Sequence, residues 1–111
     1  MNGPNFALAG KAVLITGAAR GLGAAVAQAC AGQGAQLYLQ DIKADAIEAT
    51  ADALRNEGAT VQTAAFDLTD FKACADWVHE VGPIWGLVNN AGITNHGDVL
   101  DQSVDDYQSI Y

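Results

Sequence analysis

Ala12-Val13-Leu14-Ile15-Thr16-Gly17-Ala18-Ala19-Arg20-Gly21-Leu22-Gly23 is the stretch that decides the fold. Ala12 to Ile15 is a continuous apolar run, too short for a helix and stopped by Thr16-Gly17. Such a run reads as a strand buried on both faces. From Gly21 to Gln33 the residues Leu22, Val26, Ala29 and Cys30 recur at helical spacing, with Gly32 and Gly34 as stop signals. The turn between them must leave a buried strand sharply and let the backbone approach an anion without an intervening Cβ. Glycine meets that demand, and the helix then opens with N–H groups and a partial positive charge aimed at the anion. The spacing Gly-x-x-x-Gly-x-Gly differs from the common Gly-x-Gly-x-x-Gly fingerprint. It also lacks the Gly-Lys-Ser/Thr ending of a P-loop, which disfavours a nucleoside triphosphatase.

Outward from this turn the same alternation continues. Gln36 to Gln40, carrying Leu37-Tyr38-Leu39, is a second strand ending at Asp41. Ala44 to Glu57 has Ile47, Ala51 and Leu54 on one face and Gly58 beyond it, and Thr60 to Phe66 is a third strand. Asp70 caps a helix with Phe71, Cys74 and Val78 as its inner face, closed by Gly82-Pro83. Ile84 to Val88 is a fourth strand running into Asn89-Asn90-Ala91-Gly92, and Ser103-Val104-Asp105-Asp106 resembles a capping box opening a fourth helix. Strands alternating with helices make βαβ units and a parallel sheet with right-handed crossovers. The fold class is therefore α/β: an open, doubly wound parallel sheet in three layers. The pattern stops after the fourth strand and the start of the fourth helix. Residues 1–111 are thus read as one partial domain without a linker, residues 1–6 being a flexible extension.

Composition narrows the function. The chain has 111 residues, 50% hydrophobic and 16% charged, the opposite of a disordered segment. No apolar run reaches the roughly 18 residues of a membrane span, and Met1 to Ala7 lack the features of a secretory signal. Cys30 and Cys74 are too few for a disulfide scaffold or a cysteine zinc site. A cytoplasmic domain with no membrane partner is expected. Thirteen acidic against five basic residues give a charge of −8, without the clustered Lys and Arg that grip phosphate backbones, so no nucleic-acid partner is expected. His79 and His96 stand apart from any paired Cys or carboxylate pattern, so no metal site is expected. Trp77 and Trp85 are expected to pack on helices, and Cys30 and Cys74 to act as small core residues.

Asp41 is the second chemical element. It lies eighteen residues after Gly23, at the carboxyl end of the second strand, where a Rossmann-type fold puts an acid on the ribose hydroxyls. Alone, Asp41 reads as a turn aspartate and the glycines as a tight turn; together they favour a dinucleotide. A carboxylate here accepts from the 2′- and 3′-hydroxyls and repels a 2′-phosphate, and Ile42 brings no arginine to neutralise it. NAD is expected rather than NADP.

These residues together resemble the short-chain dehydrogenase/reductase family. Thr16 to Gly23 is similar to its TGxxxGxG turn, Asp67-Leu68-Thr69 follows the third strand, and Asn89-Asn90-Ala91-Gly92 follows the fourth. The resemblance implies that Gly17, Arg20, Gly21, Leu22 and Gly23 cradle the pyrophosphate and adenosine side, and that Asp41 and Ile42 line the adenosine ribose. It implies that Asp67 reaches the adenine amino group, that Leu68 supplies a backbone contact, and that Asn90, Ala91 and Gly92 run along the cofactor. The implied activity is hydride transfer between a nicotinamide and an alcohol or ketone, in an enzyme that is homo-oligomeric when complete. Arg20 leans the other way on the cofactor, because some NADP-using relatives carry a basic residue just before the second glycine. The family's Tyr-x-x-x-Lys pair is not among these residues, since Tyr107 is followed four residues on by Tyr111. No catalytic residue is assigned, and the chain is read as the amino-terminal, cofactor-binding part of an enzyme, inactive alone. A non-catalytic nucleotide-binding module stays open as the alternative. Without a fifth strand beside it, Ile84 to Val88 would be an exposed edge prone to self-association.

Overall fold

Val13, Leu14 and Ile15 are each at most 3% exposed, the burial expected of a strand with neighbours on both sides and helices over the sheet. The computed structural model describes residues 7–90. Strands β1 (Ala12–Thr16), β2 (Gln36–Asp41), β3 (Thr60–Ala65) and β4 (Gly86–Asn89) alternate with helices α1 (Gly21–Gly32), α2 (Ala44–Asn56) and α3 (Phe71–Val81). All pairings are parallel, in the order β3-β2-β1-β4. The chain steps outward from β1 to β3, then crosses back to place β4 on the other side of β1. Thr16 is level with Gln40 on one side and Asn89 on the other, so three strand ends meet where the winding reverses. In open α/β sheets that crevice is where ligands bind. The sheet is Rossmann-like, as the alternation predicts.

Helix α2 covers β2 and β3 with Ile47, Ala51 and Leu54, a stripe at helical spacing. Its Arg55 also guards the outer edge of the sheet: Nε and Nη2 donate to the Val61 carbonyl at 3.2 and 2.9 Å, while Nη1 pairs with Glu48 and Asp52. The Thr63 hydroxyl donates to Glu48 from the same strand. A charged cover of this kind is how natural sheets blunt an open edge.

Several expectations from periodicity give way. The buried face of α1 is Gly23 and Ala27, with Val26 and Cys30 half-buried, while Leu22 and Ala29 are exposed. The helix lies so close to the β1 turn that small residues define its inner face. In α3 the expected stripe of Phe71, Cys74 and Val78 is displaced: Phe71 is 80% and Val78 56% exposed, and the face turned inward is Cys74, Trp77 and Val81. Trp77 sets that rotation by meeting Phe66 edge-on, ring centres 5.5 Å apart. Trp85 packs on no helix among the described residues. It is exposed, with the Lys11 ammonium 5.5 Å from its ring centre. Strand β4 begins at Gly86, opposite Val13, rather than at Ile84. Residues 1–6, the Ser103 capping box and its helix lie outside the described residues.

Candidate functional site

The Gly17–Gly23 turn divides into two halves with different duties. In the first half every N–H already has a protein acceptor. Gly17 donates to Gln40 Oε1 at 3.2 Å, Ala18 to the Gln40 carbonyl at 3.0 Å, and Ala19 to Asp41 Oδ2 at 3.0 Å. Gln40 is 2% exposed, and its amide also donates to the Phe66 carbonyl at 2.6 Å, tying the turn to the end of β3. A buried amide must find such partners, because an unsatisfied one costs about 1–3 kcal/mol.

The second half is arranged to receive. Arg20 is the N-cap of α1, yet no side chain caps the helix start among the described residues, and its first turn holds no acid. Only α1 combines the two: α2 is likewise uncapped by a side chain but carries Asp45 in its first turn, and α3 likewise lacks a first-turn acid but is capped by Asp70, which accepts from the Ala73 N–H. An uncapped helix start keeps its orphan N–H groups and partial positive charge for an anion. Gly21 has φ of +64° and nothing within 4 Å of where a Cβ would stand, so the backbone there is open to an incoming group. Gly23 is needed for the opposite reason: a Cβ would lie 2.2 Å from the Gly17 carbonyl oxygen. The residues present therefore fit a pyrophosphate, one glycine leaving room for it and the other letting helix and turn close behind it.

Around the turn stand the other expected residues. The Asp41 carboxylate bridges the Ala19 N–H and, through Oδ1, the Lys43 N–H at 3.2 Å. Ile42 is exposed beside it, as Leu22 is at the mouth of α1. Two apolar side chains held in solvent at a strand-end cleft suit the flat faces of a ligand. Asp67 accepts from both the N–H and hydroxyl of Thr69, at 2.9 and 2.8 Å, and these bonds hold its carboxyl below the usual range. The Leu68 carbonyl accepts the Cys74 thiol at 3.4 Å, and burial pushes that half-buried thiol up. At the switch point the Thr16 hydroxyl donates to Asn89 Oδ1 at 2.9 Å and accepts the Asn90 N–H at 3.0 Å, while Asn90 Nδ2 donates to the Gly17 carbonyl at 3.0 Å. Ala91 and Gly92 lie outside the described residues, as do His96, Tyr107 and Tyr111. His79 is exposed on α3, and among the described residues no three His, Cys, Asp or Glu group as a metal site would. Among those same residues no helix is long and apolar enough to cross a membrane.

Sequence reasoning missed Gln40 and Thr50, whose hydroxyl donates to the Ala19 carbonyl at 2.6 Å. The signal was present in each case: a polar residue directly after the apolar Leu37-Tyr38-Leu39 run of a strand, and a hydroxyl beside the buried stripe of a helix.

The turn, the acid that ends β2 and the asparagine pair at the end of β4 thus converge on one end of a 3-2-1-4 sheet. The sequence pattern of the short chain dehydrogenase family matches residues 11–111. The chain belongs to the short-chain dehydrogenase family. That family consists of oxidoreductases that bind nicotinamide cofactors. Gluconate 5-dehydrogenase of Gluconobacter oxydans is 35% identical over 109 residues, covering 95% of this chain and 43% of the relative. A 5-keto-D-gluconate 5-reductase of Escherichia coli is 40% identical over 92 residues, covering 79% of this chain and 36% of the relative. Among solved structures, L-sorbose reductase from Gluconobacter frateurii, complexed with NADPH and L-sorbose, superposes with a TM-score of 0.76 at 28% identity, over 94% of this chain and 41% of its own. Carveol dehydrogenase from Mycobacterium avium, in complex with NAD, superposes at 0.67 with 27% identity, over 84% and 42%. This short-chain dehydrogenase chain spans less than half the length of these relatives, and the two solved complexes carry different nicotinamide cofactors.

Proposed function

We propose that the chain is the cofactor-binding portion of an NAD-dependent oxidoreductase that moves a hydride between a nicotinamide cofactor and an alcohol or ketone. The observation that carries this reading is the acid-free, uncapped start of α1 beside the Asp41 carboxylate, whose orientation is set by the Ala19 N–H. When bound, the nicotinamide supplies or takes the hydride. The chain's own residues bind and orient. Gly21, Leu22 and Gly23 present N–H groups and an open backbone to the pyrophosphate, with Gly17 permitting the turn and Arg20 flanking it. Asp41 accepts from the adenosine ribose hydroxyls beside Ile42, Asp67 and Leu68 hold the adenine, and Asn90, Ala91 and Gly92 line the path toward the nicotinamide. The proton relay is left to residues other than these. The names of gluconate 5-dehydrogenase, 5-keto-D-gluconate 5-reductase and L-sorbose reductase favour a polyhydroxylated alcohol or ketone as the substrate class, and that of carveol dehydrogenase does not. Residues 1–111 are read as part of one dinucleotide-binding domain, and the complete enzyme as a cytoplasmic homo-oligomer with no nucleic-acid or membrane partner.

NAD follows from charge. A 2′-phosphate on the adenosine ribose would face the Asp41 carboxylate, and two like charges about 5 Å apart repel by about 1–3 kcal/mol across the range from solvent to a protein surface. Arg20 and Lys43 are exposed and solvated, so they offset only part of this. Dissociation constants for NAD and NADP, measured by calorimetry on the protein carrying this chain, test the reading. NAD should bind about 10- to 100-fold more tightly, and Asp41→Asn, which keeps an acceptor but drops the charge, should erase most of that ratio. NADP binding as tightly as NAD would overturn the preference. Binding of neither would overturn the function.

A further inference from the structure

Ala19 is held from both sides. Its N–H donates to Asp41 Oδ2 at 3.0 Å, and its carbonyl accepts the Thr50 hydroxyl at 2.6 Å. A threonine inside a helix ordinarily turns its hydroxyl to the carbonyl one turn back in its own helix. Thr50 sits within α2 and instead reaches 31 residues back along the chain, to a residue only 8% exposed. The peptide that follows Ala19 is trans and planar, so anchoring its carbonyl toward α2 turns the Arg20 N–H the opposite way, away from α2. The two anchors together set both backbone torsions of Ala19, and so the point from which α1 departs.

We propose that Thr50 is a positioning residue for the dinucleotide: by holding the Ala19 carbonyl it fixes the Ala19–Arg20 peptide and, through the Ala19 N–H, the Asp41 carboxylate that meets the adenosine ribose. This rests on the function proposed above. Neither turn nor carboxylate then needs to be ordered when the ligand arrives, which is how preorganisation raises affinity. The effect belongs to the adenosine half of the ligand, because Thr50 and Asp41 act on the turn and not on the β4 end of the cleft.

The test is a set of variants in the protein carrying this chain, titrated with NAD, AMP and nicotinamide mononucleotide. Thr50→Val keeps the side chain's shape and removes the donor. It should weaken NAD and AMP by about three- to tenfold, the value of one hydrogen bond, and leave nicotinamide mononucleotide unchanged. Thr50→Ser should bind within about twofold of the parent, because the hydroxyl returns. In an Asp41→Asn background the Thr50→Val penalty should shrink, since residues acting through a shared contact are not additive. Should the valine variant fail to fold, Thr50→Ala, a better helix former, carries the same comparison. Unchanged NAD affinity in a folded Thr50→Val protein, a serine variant as weak as the valine, or an equal penalty in both backgrounds would each overturn the proposal. A parent that binds none of the three ligands would overturn the function beneath it instead.

Discussion

Replacing Gly23 by alanine asks for room that the turn does not have. The new Cβ would stand 2.2 Å from the Gly17 carbonyl oxygen, 2.7 Å from Asn90 Nδ2 and 2.9 Å from the Gly17 carbonyl carbon. Ordinary carbon contacts lie at about 3.5 Å, so helix and turn must part by roughly 1 Å. Two of the three neighbours are backbone and cannot swing aside. The separation breaks the Asn90 Nδ2 to Gly17 carbonyl bond, at about 0.5–1.5 kcal/mol. Overpacking adds about 1–3 kcal/mol. A total near 3 kcal/mol should lower the melting temperature by about 6–12 °C in a protein of 150–250 residues. The same shift should weaken dinucleotide binding, because α1 carries its N–H groups away from the turn. Gly32→Ala is the control: nothing lies within 4 Å of its added Cβ, and alanine is the better helix former by up to about 1 kcal/mol. Thermal melting and a dinucleotide titration of both variants decide the matter. If Gly23→Ala melts and binds like the parent, the close approach of helix and turn is not what that glycine serves.

Acid should loosen the α2–β3 edge and the β3–α3 loop. The Thr63 hydroxyl and then Arg55 hold Glu48 below the usual carboxylate range, as the Thr69 N–H and hydroxyl hold Asp67. Depressed folded values mean that this stability is present above the unfolded values near pH 4 and is lost as pH falls through the folded ones. Melting curves from pH 6 to pH 2 should therefore steepen below about pH 4, and Glu48→Gln with Asp67→Asn should flatten them; an unchanged profile would show that these bonds do not persist in solution. The 111-residue polypeptide expressed by itself should not turn over alcohols or ketones with NAD at any pH, because no Tyr–Lys pair is present to move the proton; steady turnover on a broad panel would refute this. That polypeptide should also self-associate through β4, where Leu87 is 40% exposed and no counterpart of Arg55 guards the edge among the described residues. Sedimentation across a concentration series checks it, and a monodisperse, cooperatively melting monomer is the contrary result.

Parts of this fold were legible because one physical signal sufficed. Ala12 to Ile15 is apolar on both faces, and only a central strand buries both. Gly21 and Gly23 followed from the geometry of a strand-to-helix turn, and Asp41 from its place at a strand end. Rotation of the helices was not legible. In α3, Phe71, Cys74 and Val78 share one helical stripe and Cys74, Trp77 and Val81 share another. Periodicity cannot choose between them. The choice came from Phe66, a residue just beyond β3 that gives the Trp77 ring an edge-on partner. In α1 the missing information was a distance: Gly23 brings the helix against Gly17, and a helix that close turns Leu22 outward. The long-range anchors were hidden for the same reason. Gln40 and Thr50 are ordinary polar residues until the fold sets them against Gly17 and Ala19.

The central claim, a dinucleotide held by the start of α1 and by Asp41, is tested most directly by a crystal structure of the protein carrying this chain, grown with NAD. The pyrophosphate should lie over the open face of Gly21, within hydrogen-bond distance of N–H groups in the first turn of α1, with the adenosine ribose hydroxyls on the Asp41 carboxylate. A dinucleotide bound away from the α1 start, or one whose ribose does not meet Asp41, would contradict it.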